Sequence, residues 1–183
     1  MAAELRKQSE PGRDGDHVRM RLVWNRDACV GCRVCEAVCS FVKEGESNPA
    51  KSRCKIVRSF EDNILYKYRV HCQQCESAPC RAVCPSGALS EDAQGVKFVD
   101  ESKCIGCRMC EIACPVGAIF VSADRGVAVK CDLCRGLDGP QCVKFCFAGA
   151  LQFLAEDKAG MTMARMRSTT MFPPRQKGGP ECR

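Results

Sequence analysis

Sixteen of this chain's cysteines fall into four groups of four, and that spacing constrains the fold more than any other feature. The first group is Cys29, Cys32, Cys35 and Cys39, spaced C-x2-C-x2-C-x3-C. The third, Cys104, Cys107, Cys110 and Cys114, repeats that spacing and is followed by Pro115. The second, Cys72, Cys75, Cys80 and Cys84, widens the middle gap to four residues and is followed by Pro85. The fourth, Cys131, Cys134, Cys142 and Cys146, widens it to seven. Each group keeps an opening C-x2-C and a closing C-x3-C, and only Cys54 and Cys182 fall outside the pattern.

The segments that follow the groups repeat as well. Cys84-Pro85-Ser86-Gly87-Ala88-Leu89 matches Cys114-Pro115-Val116-Gly117-Ala118-Ile119 and Cys146-Phe147-Ala148-Gly149-Ala150-Leu151. In each, the residue after the last cysteine turns the chain, a glycine permits an unusual backbone angle, and a strand begins. The first group departs from this, with Ser40-Phe41-Val42 in place of the turn. Hairpins are predicted for Lys55–Phe60 with Ile64–Val70, Ala88–Ser90 with Val96–Val99, and Ile119–Ser122 with Val127–Lys130. Leu151–Leu154 is expected to be followed by a turn at Glu156-Asp157-Lys158 and a further short strand at Met161–Met163. The third and fourth cysteines of each group are placed on helices of two or three turns, such as Arg108–Ala113, where i and i+4 share a face.

What holds such a chain together follows from its composition. Of 183 residues, 18 are Cys, against 8 Phe, 2 Tyr and 1 Trp. Without the cysteines roughly a third of the chain is apolar, too little for a large core. Disulfides, zinc or iron–sulfur clusters must substitute. No apolar run approaches the ~20 residues that span a bilayer, so no membrane span is expected. Met1–Met20 is polar and charged, without the apolar stretch of a secretory signal. A cytoplasmic location is therefore expected, where thiols stay reduced and bind metal.

Three cysteines at i, i+3 and i+6 lie in one tight loop and can wrap a single cuboidal cluster. The fourth, carried on by the short helix, points toward a neighbouring site, as in the bacterial C-x2-C-x2-C-x3-C-P run. A zinc ribbon wants two separated C-x2-C pairs and has no use for the remaining cysteines. The formal charge of +6 counts every thiol as neutral. Each oxidised [4Fe–4S] core with four thiolates carries about −2, so four of them bring the holoprotein to about −2. The basic excess then reads as counter-charge for clusters, and no nucleic-acid partner is expected, since no basic stripe interleaves with aromatics.

With these motifs the chain resembles the four-cluster ferredoxin-type (polyferredoxin) electron-transfer subunits, the iron–sulfur subunits of dimethyl sulfoxide reductase, formate dehydrogenase and related oxidoreductases. The resemblance covers about Arg21 to Phe153 and rests on the four groups, the C-P-x-G-A pattern and the widened gaps. The stretch from Cys39-Ser40-Phe41-Val42 through Pro49 to Lys51-Ser52-Arg53 is most similar to the soluble members that accompany tungsten aldehyde oxidoreductases. The implied fold is α+β: two nested bacterial-ferredoxin-like modules of short helices and β-hairpins around four [4Fe-4S] clusters. Residues 1–20 form a polar leader, 21–71 and 131–154 an outer module, 72–130 an inner module, and 155–183 an extended Met/Arg-rich tail. Spacing alone does not decide which groups pair. The resemblance implies that Cys29, Cys32 and Cys35 bind a cluster with Cys146. It likewise joins Cys131, Cys134 and Cys142 with Cys39, Cys72, Cys75 and Cys80 with Cys114, and Cys104, Cys107 and Cys110 with Cys84.

Electron transfer is the function these residues favour, because close one-electron centres in so small a chain conduct. The chain is read as a non-catalytic component, with no G-x-G-x-x-G or phosphate loop in view. The resemblance implies a tungsten- or molybdenum-pterin catalytic subunit, with a flavin or ferredoxin as second partner. A hydrogenase, formate dehydrogenase or carbon monoxide dehydrogenase complex is the alternative, and a zinc-binding interaction module the alternative of another class. A radical enzyme would need a cluster with an open iron, and every group here is complete. Of the two histidines, His17 lies in the leader, and His71, beside Cys72, reads as a hydrogen-bonding residue. Arg33, Arg81, Arg108 and Arg135 each follow a cysteine and either raise a cluster's potential or are solvated. Cys54 reads as a small buried residue and Cys182 as a free thiol. Trp24 and Phe41 are expected to cover the outer module. Ala159–Arg175, with Met161, Met163, Met166, Met171 and Phe172-Pro173-Pro174, is expected to lie extended against another polypeptide, either the catalytic subunit or a second copy of this chain.

Overall fold

The computed structural model describes residues 18–61 and 64–171. His17 and Cys182 therefore lie outside the described residues. Within them, the strands form four separate two-stranded antiparallel ribbons. Strand β1 (Met20–Trp24) pairs with β8 (Leu151–Ala155), and β2 (Lys55–Glu61) with β3 (Ile64–Val70). Strand β4 (Leu89–Glu91) pairs with β5 (Lys97–Val99), and β6 (Ile119–Val121) with β7 (Ala128–Lys130).

Three of these ribbons are the hairpins that the polar turns predict. The fourth is not. Met161–Met163 is not a strand: Glu156–Met171 forms one helix, α5, so the expected extended path also fails from Ala159 to Met171. Acidic Glu156 and Asp157 in the first turn favour a helix start, and Ala, Met, Lys and Arg are good helix formers. The rest of that segment, with Phe172-Pro173-Pro174, lies outside the described residues. Strand β8 instead takes β1, in a register running from Met20↔Ala155 to Trp24↔Leu151. This pairing brings the segment before the first cysteine group beside the segment after the fourth.

The helices are α1 (Val34–Glu44), α2 (Pro79–Ala82), α3 (Met109–Ala113) and α4 (Gln141–Lys144), with a 3₁₀ turn at Pro49–Lys51. Two or three turns are reached only by α1, and the others make about one. The reason for α3 is the residue after the last cysteine. Proline pushes its predecessor out of the helical region, so Cys114, before Pro115, is extended at φ −78°, ψ 112°. Cys39 precedes Ser40, and α1 runs on until Gly45 ends it at φ 74°.

Packing pairs the helices as α1 with α4 and α2 with α3. Helix α5 rests on β1 and β8, burying Ala159. Buried apolar residues form two small clusters, each interleaved with cysteines. Leu22, Leu133, Cys142 and Leu151 pack with Trp24, Cys35, Cys131 and Cys146. Leu89, Cys110, Ile119 and Ala128 pack with Cys80, Cys84, Cys104 and Cys114. The tail repeat explains part of this. Gly87, Gly117 and Gly149 sit at φ 66°, 62° and 61°, and the Ala and Leu or Ile that follow each are buried.

Candidate metal centres

The first and third cysteine groups share a backbone device. Gly31 and Gly106 lie at φ 70° and 67°, and Arg33 and Arg108 at φ 64° and 62°. This left-handed pattern folds C-x-G-C-R into a loop that ends as a helix starts. At Gly106 a side chain is excluded outright, because a Cβ there would stand 2.4 Å from Gly126 O. Cys35 and Cys39 then lie on α1, and Cys110 on α3.

Backbone N–H groups point at several of the sulfurs. Ala128 N donates to Cys104 Sγ at 3.3 Å, Ala118 N to Cys114 Sγ at 3.3 Å, and Gln74 N to Cys72 Sγ at 3.4 Å. Such donors are the hydrogen bonds that cluster-ligating sulfurs accept. Burial acts on other thiols of the groups. It pushes Cys131 and Cys142 up to about 12, and Cys110 up to about 11. Losing these protons is tied to binding a cation that compensates the buried charge.

Cysteines of different groups come near one another. Cys84, Cys104, Cys107 and Cys110 line one cavity, closed by Leu89, Val99 and Val121. Burial raises the Cys80 thiol, Lys130 opposes this, and the Cys72 and Cys114 thiols add to it. Cys54 is the strongest influence raising Cys39, whose neighbours also include Cys131. Helix α1 is tied to the fourth group by Lys43, which pairs with Asp132 at 2.8 Å. Among the described residues no three His, Cys, Asp or Glu side chains converge on a point suited to one metal ion.

Of the arginines that follow a cysteine, three have their charge answered by a carboxylate. Arg33 pairs with Glu36 at 2.7 Å, Arg81 with Glu91 at 2.9 Å, and Arg135 with Asp92 at 3.1 Å. Arg108 is exposed. Phe41 is exposed too, whereas Trp24 packs beside the sulfurs and meets Tyr68 edge-on at 6.2 Å. His71 is buried, 3.5 Å from Leu22 O, and burial, helped by Arg69, lowers its pKa to about 4, so it stands there as a neutral hydrogen-bonding group.

Three residues besides the grouped cysteines, of which the sequence pattern does not single out Gln74 or Arg69, lie at the site. Gln74 is buried, accepts from Lys97 N at 2.8 Å and donates to Cys131 O at 2.9 Å, joining the second and fourth groups. Cys54 is buried as expected, but beside ligand candidates, its Sγ 3.7 Å from Cys35 O. Arg69 is buried with Nη2 donating to Cys142 Sγ at 3.5 Å, and its Nε and Nη1 have no partner in the protein. Orphaned donors on a guanidinium already bonded to a cysteine sulfur are what an iron–sulfur core, rich in acceptor sulfurs, would satisfy. The residues present fit that group.

The profile of a family described as a 4Fe-4S dicluster domain matches residues 64–156. The chain belongs to this family. Similarity to curated proteins extends over more of the chain. It is 38% identical to the putative electron transport protein YsaA of Escherichia coli (strain K12), over 75% of this chain and 90% of that one. It is 37% identical to the thiosulfate reductase electron transfer subunit PhsB of Salmonella typhi, over 72% and 73%. It is 39% identical to the polyferredoxin-like subunit of the aliphatic sulfonate oxidoreductase of Pyrococcus furiosus, over 70% and 72%. Of these relatives, YsaA is named as an electron transport protein, and the other two as electron-transfer or polyferredoxin-like subunits of oxidoreductases, none as a catalytic part.

Proposed function

We propose that this chain binds four [4Fe-4S] clusters through its sixteen grouped cysteines and relays single electrons to or from a tungsten- or molybdenum-pterin oxidoreductase subunit, with a tungsten aldehyde oxidoreductase as the first candidate. The clusters, once bound, supply one-electron storage. The protein supplies the thiolates, the burial and the hydrogen bonds that hold them.

The observation that carries this reading is the shared cavity of Cys84 with Cys104, Cys107 and Cys110. A closing cysteine from one group beside the opening three of another is the arrangement of paired clusters. The packing of α1 with α4 and the pairing of β1 with β8 support the same exchange between the first and fourth groups. Cys29, Cys32 and Cys35 are therefore assigned with Cys146, and Cys131, Cys134 and Cys142 with Cys39. Cys72, Cys75 and Cys80 go with Cys114, and Cys104, Cys107 and Cys110 with Cys84. The relative from Pyrococcus furiosus, named as the polyferredoxin-like subunit of an oxidoreductase, supports a carrier role beside a catalytic subunit. Exposed Met161 and Met163 on α5 offer adaptable apolar contacts to that partner or, in a second arrangement, to another copy. Among the described residues no helix is long and apolar enough to cross a membrane, and cysteines that bind metal rather than pair as disulfides suit the reducing cytoplasm.

Anaerobic metal analysis of the full chain tests the cluster count, with about sixteen iron and sixteen sulfide expected. A value near eight in fully reconstituted protein overturns it. The reduced chain should pass electrons to an added acceptor yet oxidise aldehyde only when the catalytic subunit is supplied. Aldehyde oxidation by this chain alone would refute the carrier role.

A further inference from the structure

Arg69 lies near the end of β3 with 2% of its surface exposed. Its guanidinium faces sulfur. Nη2 donates to Cys142 Sγ at 3.5 Å, and the thiols of Cys54, Cys35 and Cys131 stand close enough to act on its charge. Nε and Nη1 are buried without a hydrogen-bond partner in the protein. Among the described residues no carboxylate forms an ion pair with it. An arginine cannot shed its proton to escape such a place, and a buried charge left unpaired is strongly destabilising. Its counter-charge must come from the cysteine side.

The position is specific. Cys35 belongs to the first group, and Cys131 and Cys142 to the fourth, so this one charge lies where two groups meet. The arginines that directly follow cysteines cannot play this part, because Arg33, Arg81 and Arg135 are paired with carboxylates and Arg108 is exposed. The buried Lys130 is also different, since its Nζ donates to the carbonyls of Lys97 and Cys131.

We infer that Arg69 is the internal counter-cation of the two cluster sites built from the first and fourth groups, and that it raises the reduction potential of both. The inference rests on the proposed assignment of those groups as [4Fe-4S] ligands. Reduction adds one electron, and so one negative charge, to a site whose other charges are fixed. A positive charge held nearby, out of water, stabilises the reduced form more than the oxidised one. The unpartnered N–H groups add to this, because hydrogen bonds to the sulfurs shift cluster potentials.

The test is a potentiometric titration, followed by electron paramagnetic resonance, of the full chain reconstituted as wild type, Arg69→Gln and Arg69→Lys. With iron and sulfide content equal to wild type, Arg69→Gln should lower two of the four potentials by roughly tenfold in the reduction equilibrium, about 59 mV for one electron. The other two should not move, and Arg69→Lys should restore most of the loss. Four unchanged potentials in a fully loaded Arg69→Gln chain would overturn the inference. So would an Arg69→Lys chain shifted as far as Arg69→Gln, because shape rather than charge would then be responsible. If Arg69→Gln does not load, Arg69→Lys decides: full loading with potentials near wild type supports a counter-cation, and failure to load refutes it. A wild-type chain holding only two clusters would instead strike the four-cluster assignment, and is read from the iron content before any variant is made.

Discussion

Glu36 accepts the backbone N–H of Ile56, a bond spanning 20 residues that fastens the helix of Cys35 and Cys39 to the start of the β2–β3 ribbon. Its other carboxylate oxygen holds Arg33 Nε at 2.8 Å and Nη2 at 2.7 Å. The side chain has no exposed surface. Glu111 repeats the device in the third group, accepting from Val121 N. Both glutamates directly follow the third cysteine of a C-x2-C-x2-C-x3-C group. The carboxylate is thus part of how each cysteine loop is aligned with a strand.

Glu36→Ala leaves the Ile56 N–H and one face of Arg33 unsatisfied. The expected cost is about 1–3 kcal/mol, for a buried donor without its acceptor. It is measured as bleaching of the cluster absorption near 400 nm at fixed temperature, which should run roughly 10- to 100-fold faster than in wild type. Glu36→Gln, which can still accept from Ile56 N, should fall between the two. Equal rates for all three chains would mean that the alignment is set elsewhere.

Much of this architecture can be read from the spacing of the cysteines and the glycines beside them. Three of the four ribbons follow from turn residues between β-branched runs, and the tail repeat locates buried Ala88, Ala118 and Ala150. The β1–β8 pair is not legible in the same way. Its strands lie at opposite ends of the cysteine region, so no local turn announces it, and the polar segment after β8 resembled a hairpin turn although its residues are good helix formers. The arginines next to cysteines drew attention by position, yet adjacency in sequence led Arg33, Arg81 and Arg135 to nearby carboxylates. Arg69 was hidden by alternation. Arg58, Lys67 and Arg69 fall on one face of the β2–β3 ribbon, which period-2 patterning assigns to solvent. The end of β3 passes against the sulfurs, and there that face is buried.

The exchange of closing cysteines can be checked one residue at a time. Cys39→Ser should disturb the cluster held by Cys131, Cys134 and Cys142, and leave intact the one held by Cys29, Cys32 and Cys35. Cys84→Ser should in the same way disturb the cluster of Cys104, Cys107 and Cys110, with which it shares a cavity. Electron paramagnetic resonance of each single variant separates the cases. If Cys39→Ser removes only the signal of its own group, the nested pairing is wrong.

Acid should weaken the β4–β5 ribbon through a particular pair. Glu91 holds Lys97 Nζ at 2.8 Å and Arg81 Nη1 at 2.9 Å, and Lys97 is buried. Lys97 foremost keeps the Glu91 carboxyl below its ordinary range. Unfolded, Glu91 takes up its proton at a higher pH than when folded, so the pair's contribution is complete above about pH 4.3, the usual glutamate value, and is lost as pH falls through the lower folded value. Glu91→Gln should therefore bleach faster than wild type at about pH 6.5, and the gap should narrow as the pH falls below about 4. A gap that stays constant over that range would show that the carboxylate's charge is not what stabilises the ribbon.

Helix α5 bears on whether the C-terminal segment is a docking tail or part of the fold. Glu156 at its start pairs with Arg21 and lies 3.8 Å from Arg19, both on or beside β1, and Ala159 is buried to 1%. Arg21 in turn donates to the carbonyls of Gln73 at 2.8 Å and Gln74 at 2.6 Å, within the second cysteine group. Removing α5 uncovers β1 and β8 and frees Arg21 from its carboxylate. Truncation after Ala155 should therefore do more than weaken assembly with a partner. The clusters of the first and fourth groups, closed by the β1–β8 ribbon, should be lost first, and iron should fall toward about half the wild-type value while the second and third groups keep theirs. Glu156→Gln is the milder test and should speed bleaching without lowering the initial iron content. If the truncated chain holds all its iron as durably as wild type and loses only its association in size-exclusion chromatography, α5 serves partners alone and its packing on β1 and β8 carries little stability.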